Sequence, residues 1–273
     1  MHIDAHQHFW RYRAKDYGWI SNCMDVLKDD FLPPDLIPHL EKADINSCVA
    51  VQARQSDEET RWLIGLAEEY NIICGVVGWI DLCSPDLVSR LKSYEGSTWL
   101  RGFRHVLQDE KDDRFMMRSS FLEGVTLLGN AGYTYDILVF SRQLPVVLEF
   151  LEALPEMPLV IDHIAKPEIS GNNKQSWADD LEEVAKFPYV LCKISGLVSK
   201  SDWDANILNQ YLEHVLHCFG PTRIMFGSDW PVCNLAANYQ QVYDLVHQFV
   251  VNNAPTYLDD IFGGNAARFY GIR

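Results

Sequence analysis

Hydrophobic and polar residues form two kinds of pattern along this chain. Short apolar stretches rich in β-branched residues recur at the spacing of strand–helix units, about 25 to 40 residues. Between them, apolar residues return with the period of an amphipathic helix. The pattern predicts strands at residues 1–9, 47–53, 72–81, 100–106, 133–139, 158–167, 189–196 and 223–231. It predicts helices at residues 36–43, 60–70, 86–94, 119–130, 144–154, 177–186, 205–219 and 239–251, with a short one within 255–270.

Eight successive strand–helix units predict an α/β protein with a (β/α)8 TIM barrel, in a single domain that spans residues 1–273. The strand at 47–53 is apolar on both faces, as expected of a parallel strand covered by helices. The alternative is an open, doubly wound sheet, which commonly carries a glycine-rich phosphate turn after an early strand. Neither G-x-G-x-x-G nor G-x-x-x-x-G-K-[ST] occurs in the chain, which favours the barrel.

The first ten residues, MHIDAHQHFW, contain two histidines separated by one residue. On a strand, residues two apart share a face, so we expect Asp4, His6 and His8 to point the same way. Two imidazoles on one face can converge on one metal ion or one substrate atom. The alternative is that one histidine is hydrogen-bonded in the core and the other is solvated.

A (β/α)8 barrel places its active site at the carboxyl ends of the strands. Ionisable groups on apolar strands are costly to bury unless they are paired or functional, so their positions are informative. The polar residues at or near the predicted strand ends are His6, His8, Gln52, Arg54, Trp79, Asp81, Arg104, His105, Asp136, Asp162, His163, Lys166, Lys193, Ser195, Ser228, Asp229 and Trp230. Because neighbours on a strand face opposite sides, at most one of Arg104 and His105 is expected to face the site.

Composition and charge restrict the partners. The formal net charge of −15 argues against nucleic acid and against an anionic membrane surface, which both require a basic protein surface. The seven cysteines form no C-x-x-C pair, and no apolar run is long enough to span a membrane. The start of the chain lacks a basic stretch followed by an apolar run. We therefore expect a cytoplasmic protein with reduced thiols.

Several motifs resemble those of the amidohydrolase superfamily. They are D-x-H-x-H at 4–8, D-H-I-A-K-P at 162–167, K-I-S-G at 193–196 and F-G-S-D-W-P at 226–231, and the resemblance covers essentially the whole chain. The segment F-R-H-V-L-Q-D at 103–109 resembles the amidohydrolase-2 branch, which contains sugar-acid lactonases. Within this branch the sequence is most similar to L-fuconolactone and L-rhamnonolactone hydrolases. The resemblance implies a lactonase of the EC 3.1.1 type that acts in carbohydrate metabolism.

The resemblance also implies roles for individual residues. His6, His8, His163 and Asp229 match the positions that surround a divalent ion in metal-using members. At most one ion, zinc or manganese, is expected, because the fifth strand offers Asp136 where two-metal members have a lysine. Catalysis without a metal stays open. Asp229 is expected to act as the general base on water, while the three histidines polarise the carbonyl or hold that water.

Substrate contacts are expected from a second group of side chains. Cationic groups can hydrogen-bond sugar hydroxyls or the emerging carboxylate, and tryptophans can wall the pocket against a deoxy sugar. The expected substrate-binding residues are Gln52, Arg54, Trp79, Arg104, His105, Lys166 and Trp230. Specificity is expected to reside in loops such as 11–34 and 110–120. The partner is a small-molecule sugar lactone, and a monomer or homodimer is expected.

Other interpretations stay open from the sequence. Structural roles would be a turn cap for Asp229, a core position for His163, a solvated Lys166 and a buried pairing of Lys193 with an acid. Other reactions on the same scaffold are a metal-dependent decarboxylation and the hydrolysis of a pyrone dicarboxylate. A non-catalytic binding protein would be expected to have lost Asp229 or the histidines.

Overall fold

Eight parallel strands pair in chain order in the computed structural model, which describes residues 1–169, 174–198 and 203–273. The strands are β1 (Ile3–Gln7), β2 (Ser47–Val51), β3 (Ile73–Gly78), β4 (Leu100–His105), β5 (Thr134–Ile137), β6 (Leu159–Ile161), β7 (Val190–Ile194) and β8 (Ile224–Phe226). Gln7 bridges in parallel to Trp230, just beyond β8, and His8 N–H donates to the Trp230 carbonyl at 2.7 Å. The first and last strands therefore meet, and the sheet closes into the (β/α)8 barrel that the pattern predicts.

A helix follows each strand and covers the outside of the sheet. The helices are α1 (Pro33–Lys42), α2 (Asp57–Glu69), α3 (Leu87–Lys92), α4 (Ser119–Asn130), α5 (Leu144–Ala153), α6 (Lys174–Ala185), α7 (Ala205–Phe219), α8 (Tyr239–Asn253) and, after α8, α9 (Asn265–Tyr270). The bounds of α4 and α7 are those predicted from the apolar period. Within the described ranges, no helix combines the length and the apolarity needed to cross a membrane.

The apolar core has two layers, one on each side of the strands. On β2, Cys48 and Ala50 pack outwards with the helices, whereas Val49 and Val51 face the barrel interior. The buried interior cluster consists of Ile3, Ala5, Val49, Val51, Val77, Val160, Met225, Ala266, Tyr270 and Ile272. Its last three members belong to α9 and the residues after it, so the C-terminal segment is anchored in the barrel interior.

β6 and β8 end earlier than the predicted strands 158–167 and 223–231. The backbone leaves the extended conformation at His163, whose φ is 54°, and φ stays positive through Lys166 at 45°. Asp229, beyond β8, has a φ of 56°. Left-handed backbone is strained for residues other than glycine and concentrates at functional sites. The two strands thus end just before residues of predicted function.

A buried carboxylate joins α2 to two loops at the carboxyl end of the barrel. Glu59 is 1% exposed and accepts hydrogen bonds from the backbone N–H groups of Ala53 and Arg54, each at 2.9 Å. The Tyr17 hydroxyl donates to its other oxygen at 3.2 Å. Burial raises the pKa of Glu59 to about 7. This carboxylate therefore holds the loop after β1 against the loop after β2.

Candidate active site

The histidines of the N-terminal strand reach the barrel interior because β1 is irregular. Between Asp4 and Gln7 the register shifts, so β1 has one more residue than β2 over this stretch. Asp4 consequently faces the helix layer, where its carboxylate accepts a hydrogen bond from the Tyr239 hydroxyl at 3.1 Å. The prediction that Asp4 shares a face with His6 and His8 is therefore wrong, because an extra residue breaks the strict alternation of a strand.

Two glycines allow the imidazoles to come close together. Gly196 has a φ of +59°, and a Cβ at this position would lie 2.6 Å from His163 Nδ1. A Cβ at Gly227 would lie 2.6 Å from the Cβ of His6. The Ser195 hydroxyl, next to the first glycine, is 2.9 Å from His163 Nδ1. Close packing against His163 and His6 thus accounts for the glycines in the K-I-S-G and F-G-S-D segments.

Three imidazoles and one carboxylate converge at the carboxyl ends of the strands. Asp229 Oδ1 lies 3.3 Å from His8 Nε2 and 3.8 Å from His6 Nε2. The same oxygen lies 3.9 Å from His163 Nε2. The Nε2 atoms of His6 and His8 are 3.2 Å apart. The structure therefore brings together all four residues that the sequence proposes for catalysis and metal binding, and all four are buried.

The orientation of His8 is fixed by a backbone contact. Its Nδ1–H donates to the Val51 carbonyl at 2.8 Å, which directs Nε2 at the centre of the cluster. There Nε2 meets His6 Nε2 and the Asp229 carboxylate, an electron-rich group of atoms. Such a group needs a proton or a cation, and the Arg104 guanidinium lies on one side of it, with Nη1 at 3.2 Å from His6 Nε2. The cluster is thus suited either to proton transfer or to metal binding.

A buried ionic network lies behind the histidines. Lys193 Nζ donates to Asp136 Oδ2 at 2.5 Å and lies 3.1 Å from Asp162 Oδ1. Arg104 Nη1 donates to Asp162 Oδ2 at 3.0 Å, and the Tyr270 hydroxyl donates to Asp136 Oδ2 at 2.9 Å. Two cations thus balance two carboxylates inside the barrel. Lys193 is therefore the buried partner of acids, one of the interpretations that the sequence left open.

Burial and neighbouring charges set the protonation of the cluster. Burial lowers the pKa of His6 and of His163 well below the usual value, so both imidazoles are neutral near pH 7. Burial alone would raise the pKa of Asp229, but His163, His8 and Lys166 outweigh it and hold that pKa below its usual value. Burial also lowers the pKa of Lys166. An ionised carboxylate therefore faces the neutral imidazoles of His6 and His163.

A cavity of about 310 Å³ opens directly over this cluster. Its lining consists of His8, Trp19, Met24, Ala53, Arg104, Val106, Gln108, Asp109, Leu138, His163, Lys166, Asp229, Val232 and Leu235. His6 lies behind this surface. Among the expected substrate-binding residues, Arg104 and Lys166 line the cavity. His105, the neighbour of Arg104 on β4, does not, in agreement with strand alternation.

Two further expected contacts lie near β2 but away from the cavity wall. Gln52 is fully buried, and its side-chain amide donates to the Arg104 carbonyl at 3.2 Å. The Arg54 guanidinium instead lies 3.3 Å from Asp16 and 3.2 Å from Glu58. It lines a separate cavity of about 340 Å³. Gln52 therefore braces β4, and Arg54 is directed away from the cluster.

The remaining expected contacts are aromatic, and they face other parts of the structure. Trp79 Nε1 donates to His105 Nδ1 at 3.3 Å, and His105 Nε2 lies 2.8 Å from Glu110. Trp230 is 2% exposed and packs edge-on against Phe9. Trp230 belongs to the buried core, Trp79 is half-buried, and neither is among the side chains that line the cavity.

Most of the cavity wall could not be identified residue by residue from the sequence. Trp19 and Met24 belong to the loop 11–34, which the sequence marks as a specificity loop. Of the described residues in 110–120, none is among the lining side chains. Val106, Gln108 and Asp109 lie in the F-R-H-V-L-Q-D segment, but the sequence does not single them out, and no motif contains Ala53, Leu138, Val232 or Leu235.

The donor set of the cluster fits one divalent cation. Nitrogen and oxygen atoms of His6, His8 and Asp229 all lie within 4.8 Å of one another and are buried. Ligands of a tetrahedral ion with bonds of about 2.1 Å are separated by about 3.4 Å. The separations among His6 Nε2, His8 Nε2 and Asp229 Oδ1, which run from 3.2 to 3.8 Å, are close to this value. Asp136, by contrast, is engaged by the Lys193 ammonium.

A closed parallel barrel with imidazoles and a carboxylate at the carboxyl ends of its strands defines an enzyme of the amidohydrolase class. The family model described as Amidohydrolase matches residues 3–272, and the chain belongs to this family.

Similar proteins of known sequence or structure extend this assignment. The L-fucono-1,5-lactonase of Burkholderia multivorans (strain ATCC 17616 / 249) is 43% identical over 100% of this chain and 96% of its own. That of Burkholderia ambifaria (strain AMMD) is 34% identical over 99% and 95%. A crystal structure of an amidohydrolase from Burkholderia multivorans with bound zinc superposes with a TM-score of 0.96, at 43% identity and 100% coverage of both chains.

Proposed function

We propose that this chain hydrolyses a sugar-acid lactone of the L-fucono-1,5-lactone type to the free aldonic acid, as a carboxylic ester hydrolase. The observation that carries the proposal is the Asp229 carboxylate, which lies within 3.9 Å of the three imidazoles at a cavity of about 310 Å³. The identity of 43% to an L-fucono-1,5-lactonase over the whole chain supports it. We further propose a cytoplasmic enzyme of carbohydrate metabolism, a single domain over 1–273, and a monomer or homodimer.

Lactone hydrolysis requires a water molecule positioned to attack the carbonyl carbon and groups that stabilise the resulting oxyanion. Asp229 accepts the proton of the water as it attacks the carbonyl carbon. The Nδ1 contacts of His8 with Val51 and of His163 with Ser195 direct the Nε2 atoms of both rings at Asp229. The two rings hold that water. Arg104 and Lys166 present positive charge to the same cavity, where they stabilise the carbonyl oxygen and then the product carboxylate. The ring ester bond breaks, and the ring oxygen takes up a proton.

His6, His8, His163 and Asp229 are the residues that would hold a divalent ion, zinc or manganese. When bound, such an ion would supply Lewis-acid polarisation to the site. The zinc in the structure of the relative from Burkholderia multivorans supports this proposal. Comparing the activity before and after chelation distinguishes metal-dependent catalysis from catalysis without a metal.

Acid release and carbon dioxide release test the reaction class. Lactone opening releases a proton, whereas decarboxylation releases carbon dioxide and consumes a proton. We expect acid release from L-fucono-1,5-lactone or a closely related aldonolactone, above the uncatalysed rate and without carbon dioxide. A flat response across aldonolactones, with turnover of a pyrone dicarboxylate or an aromatic carboxylate, would contradict the proposal.

A further inference from the structure

One wall of the cavity is entirely apolar. Trp19 and Met24 come from the loop between β1 and α1, and Val232 and Leu235 come from the loop between β8 and α8. Trp19 is 37% exposed, and the other three side chains are half-buried. These four residues form what we call the apolar wall. Apolar surface left open around a cavity is the usual mark of a ligand contact.

The apolar wall packs against a buried part of the core. Met24, Val232 and Leu235 pack against a buried cluster in which Trp10 and Leu27 are fully enclosed. The two loops that build the wall therefore support each other, and its shape is set before a ligand arrives.

The opposite side of the cavity is polar. Arg104, Gln108 and Asp109 follow one another around the end of β4, and Lys166 follows β6. These groups can hydrogen-bond hydroxyls, although Ala53, Val106 and Leu138 add apolar surface to the remaining lining. A ligand that fits the cavity therefore has one apolar end and one hydroxylated side.

The chain brings the apolar wall close to the proposed base. Val232 follows Asp229 by three residues, and the Cys233 N–H donates to the Asp229 carbonyl at 2.9 Å, which curls this segment back on itself. In a 1,5-lactone only the ring oxygen separates the carbonyl carbon from C5, which carries the exocyclic carbon. A carbonyl placed at Asp229 thus brings the exocyclic group near Val232, while the hydroxyls on C2 and C3 lie on the far side of the ring.

We propose that the apolar wall, with Val232 at its centre, binds the C6 methyl group of a 6-deoxy aldonolactone and disfavours the corresponding hydroxymethyl group. The inference rests on the proposed function and names the group that selects the substrate. A hydroxyl placed against this wall would lose its hydrogen bonds to water without gaining partners. An apolar pocket typically disfavours an added hydroxyl by about 10- to 100-fold.

The test compares two lactones that differ by one oxygen atom. L-Galactono-1,5-lactone has the stereochemistry of L-fucono-1,5-lactone and carries a hydroxyl on C6. We expect kcat/KM of the wild type to favour the 6-deoxy lactone by about 10- to 100-fold. Val232→Thr, which is nearly isosteric and adds a hydroxyl, is expected to reduce this ratio at least about fivefold. Val26→Thr, at a 50% exposed position outside the cavity lining, is the control and keeps the ratio.

The outcomes separate this inference from the proposed function. Equal kcat/KM for both lactones in the wild type would overturn the role of the apolar wall and leave lactone hydrolysis intact. An unchanged ratio in Val232→Thr would do the same. If Val232→Thr loses activity on both lactones, Met24→Gln from the other loop gives the deciding ratio, and a wild-type value there overturns the inference. If wild type opens neither lactone, the proposed function itself fails.

Discussion

At the scale of single residues, the absence of a side chain at Gly196 allows His163 to occupy its position near Asp229. A methyl group at Gly196 would lie 2.6 Å from His163 Nδ1 and 2.7 Å from its Cγ, so the imidazole would have to move. A misplacement of about 1 Å in a catalytic group can cost about 100-fold in rate. We therefore expect Gly196→Ala to lower kcat/KM for the lactone by about 10- to 100-fold, as measured by initial rates of acid release.

The control for this substitution separates contact from backbone strain. Gly271 has nearly the same φ, +60°, but no atom lies within 4 Å of where its Cβ would be. Gly271→Ala therefore incurs the left-handed strain without the contact, and its kcat/KM is expected to stay near that of wild type. Equal loss of activity in the two variants would show that strain, rather than the position of His163, is responsible.

The sequence identifies the candidate catalytic residues better than it identifies the residues that surround them. His6, His8, His163 and Asp229 could be named because they lie in motifs at strand ends. The face of Asp4 could not, since the register shift in β1 has no signature in the residues themselves. Lining side chains such as Trp19 could not be named either, because their position depends on how loops fold over the barrel.

At the scale of elements, Glu59 makes the attachment of α2 sensitive to pH. Its pKa rises from 4.5 to about 7 on burial, so the folded state binds a proton more tightly than the unfolded state does. The stabilising contribution is complete below pH 4.5 and is lost as pH rises through about 7. A shift of this size corresponds to about 3 kcal/mol. Glu59→Gln, which is neutral at every pH, is expected to lack this loss.

Urea unfolding at several pH values measures the effect. The free energy of unfolding of Glu59→Gln relative to wild type is expected to increase between about pH 5 and about pH 8, by up to about 3 kcal/mol. Glu58→Gln removes a neighbouring charge whose side chain is 85% exposed and serves as the control, with little change expected. A pH-independent difference for Glu59→Gln would mean that burial does not shift this carboxyl.

Element boundaries were predictable where a periodic apolar face continues to the end of the element. α4 and α7 begin and end as their apolar period predicts. β6 is three residues long although the apolar pattern suggests ten, since the backbone turns left-handed at His163. A pattern of side chains carries no information on such strain, which arises from packing around the site.

At the scale of the whole molecule, the net charge of −15 should make kcat/KM depend on salt for an anionic substrate but not for a neutral one. Raising the salt concentration from about 0.01 M to about 1 M shortens the Debye length from about 30 Å to about 3 Å. A neutral lactone experiences little long-range force, so its kcat/KM is expected to change less than about twofold. A dianionic pyrone dicarboxylate would be repelled at low salt, and its kcat/KM would rise as salt is added.

Initial rates over this salt range, corrected for uncatalysed opening at each concentration, provide the measurement. A strong salt dependence with an aldonolactone would mean that the rate is governed by charge on the substrate or on the cavity entrance. That result would favour an anionic substrate over a sugar lactone.

The most direct test measures acid release from L-fucono-1,5-lactone with the wild type and with Asp229→Asn. We expect wild type to open the lactone well above the uncatalysed rate and Asp229→Asn to be about 10²- to 10⁴-fold slower, since the amide cannot accept the proton of the attacking water. Asp244→Asn, on the exposed face of α8, is expected to match wild type. Circular dichroism establishes that all three are folded. Full activity in Asp229→Asn, or no acid release from wild type, would contradict lactone hydrolysis with Asp229 as the base.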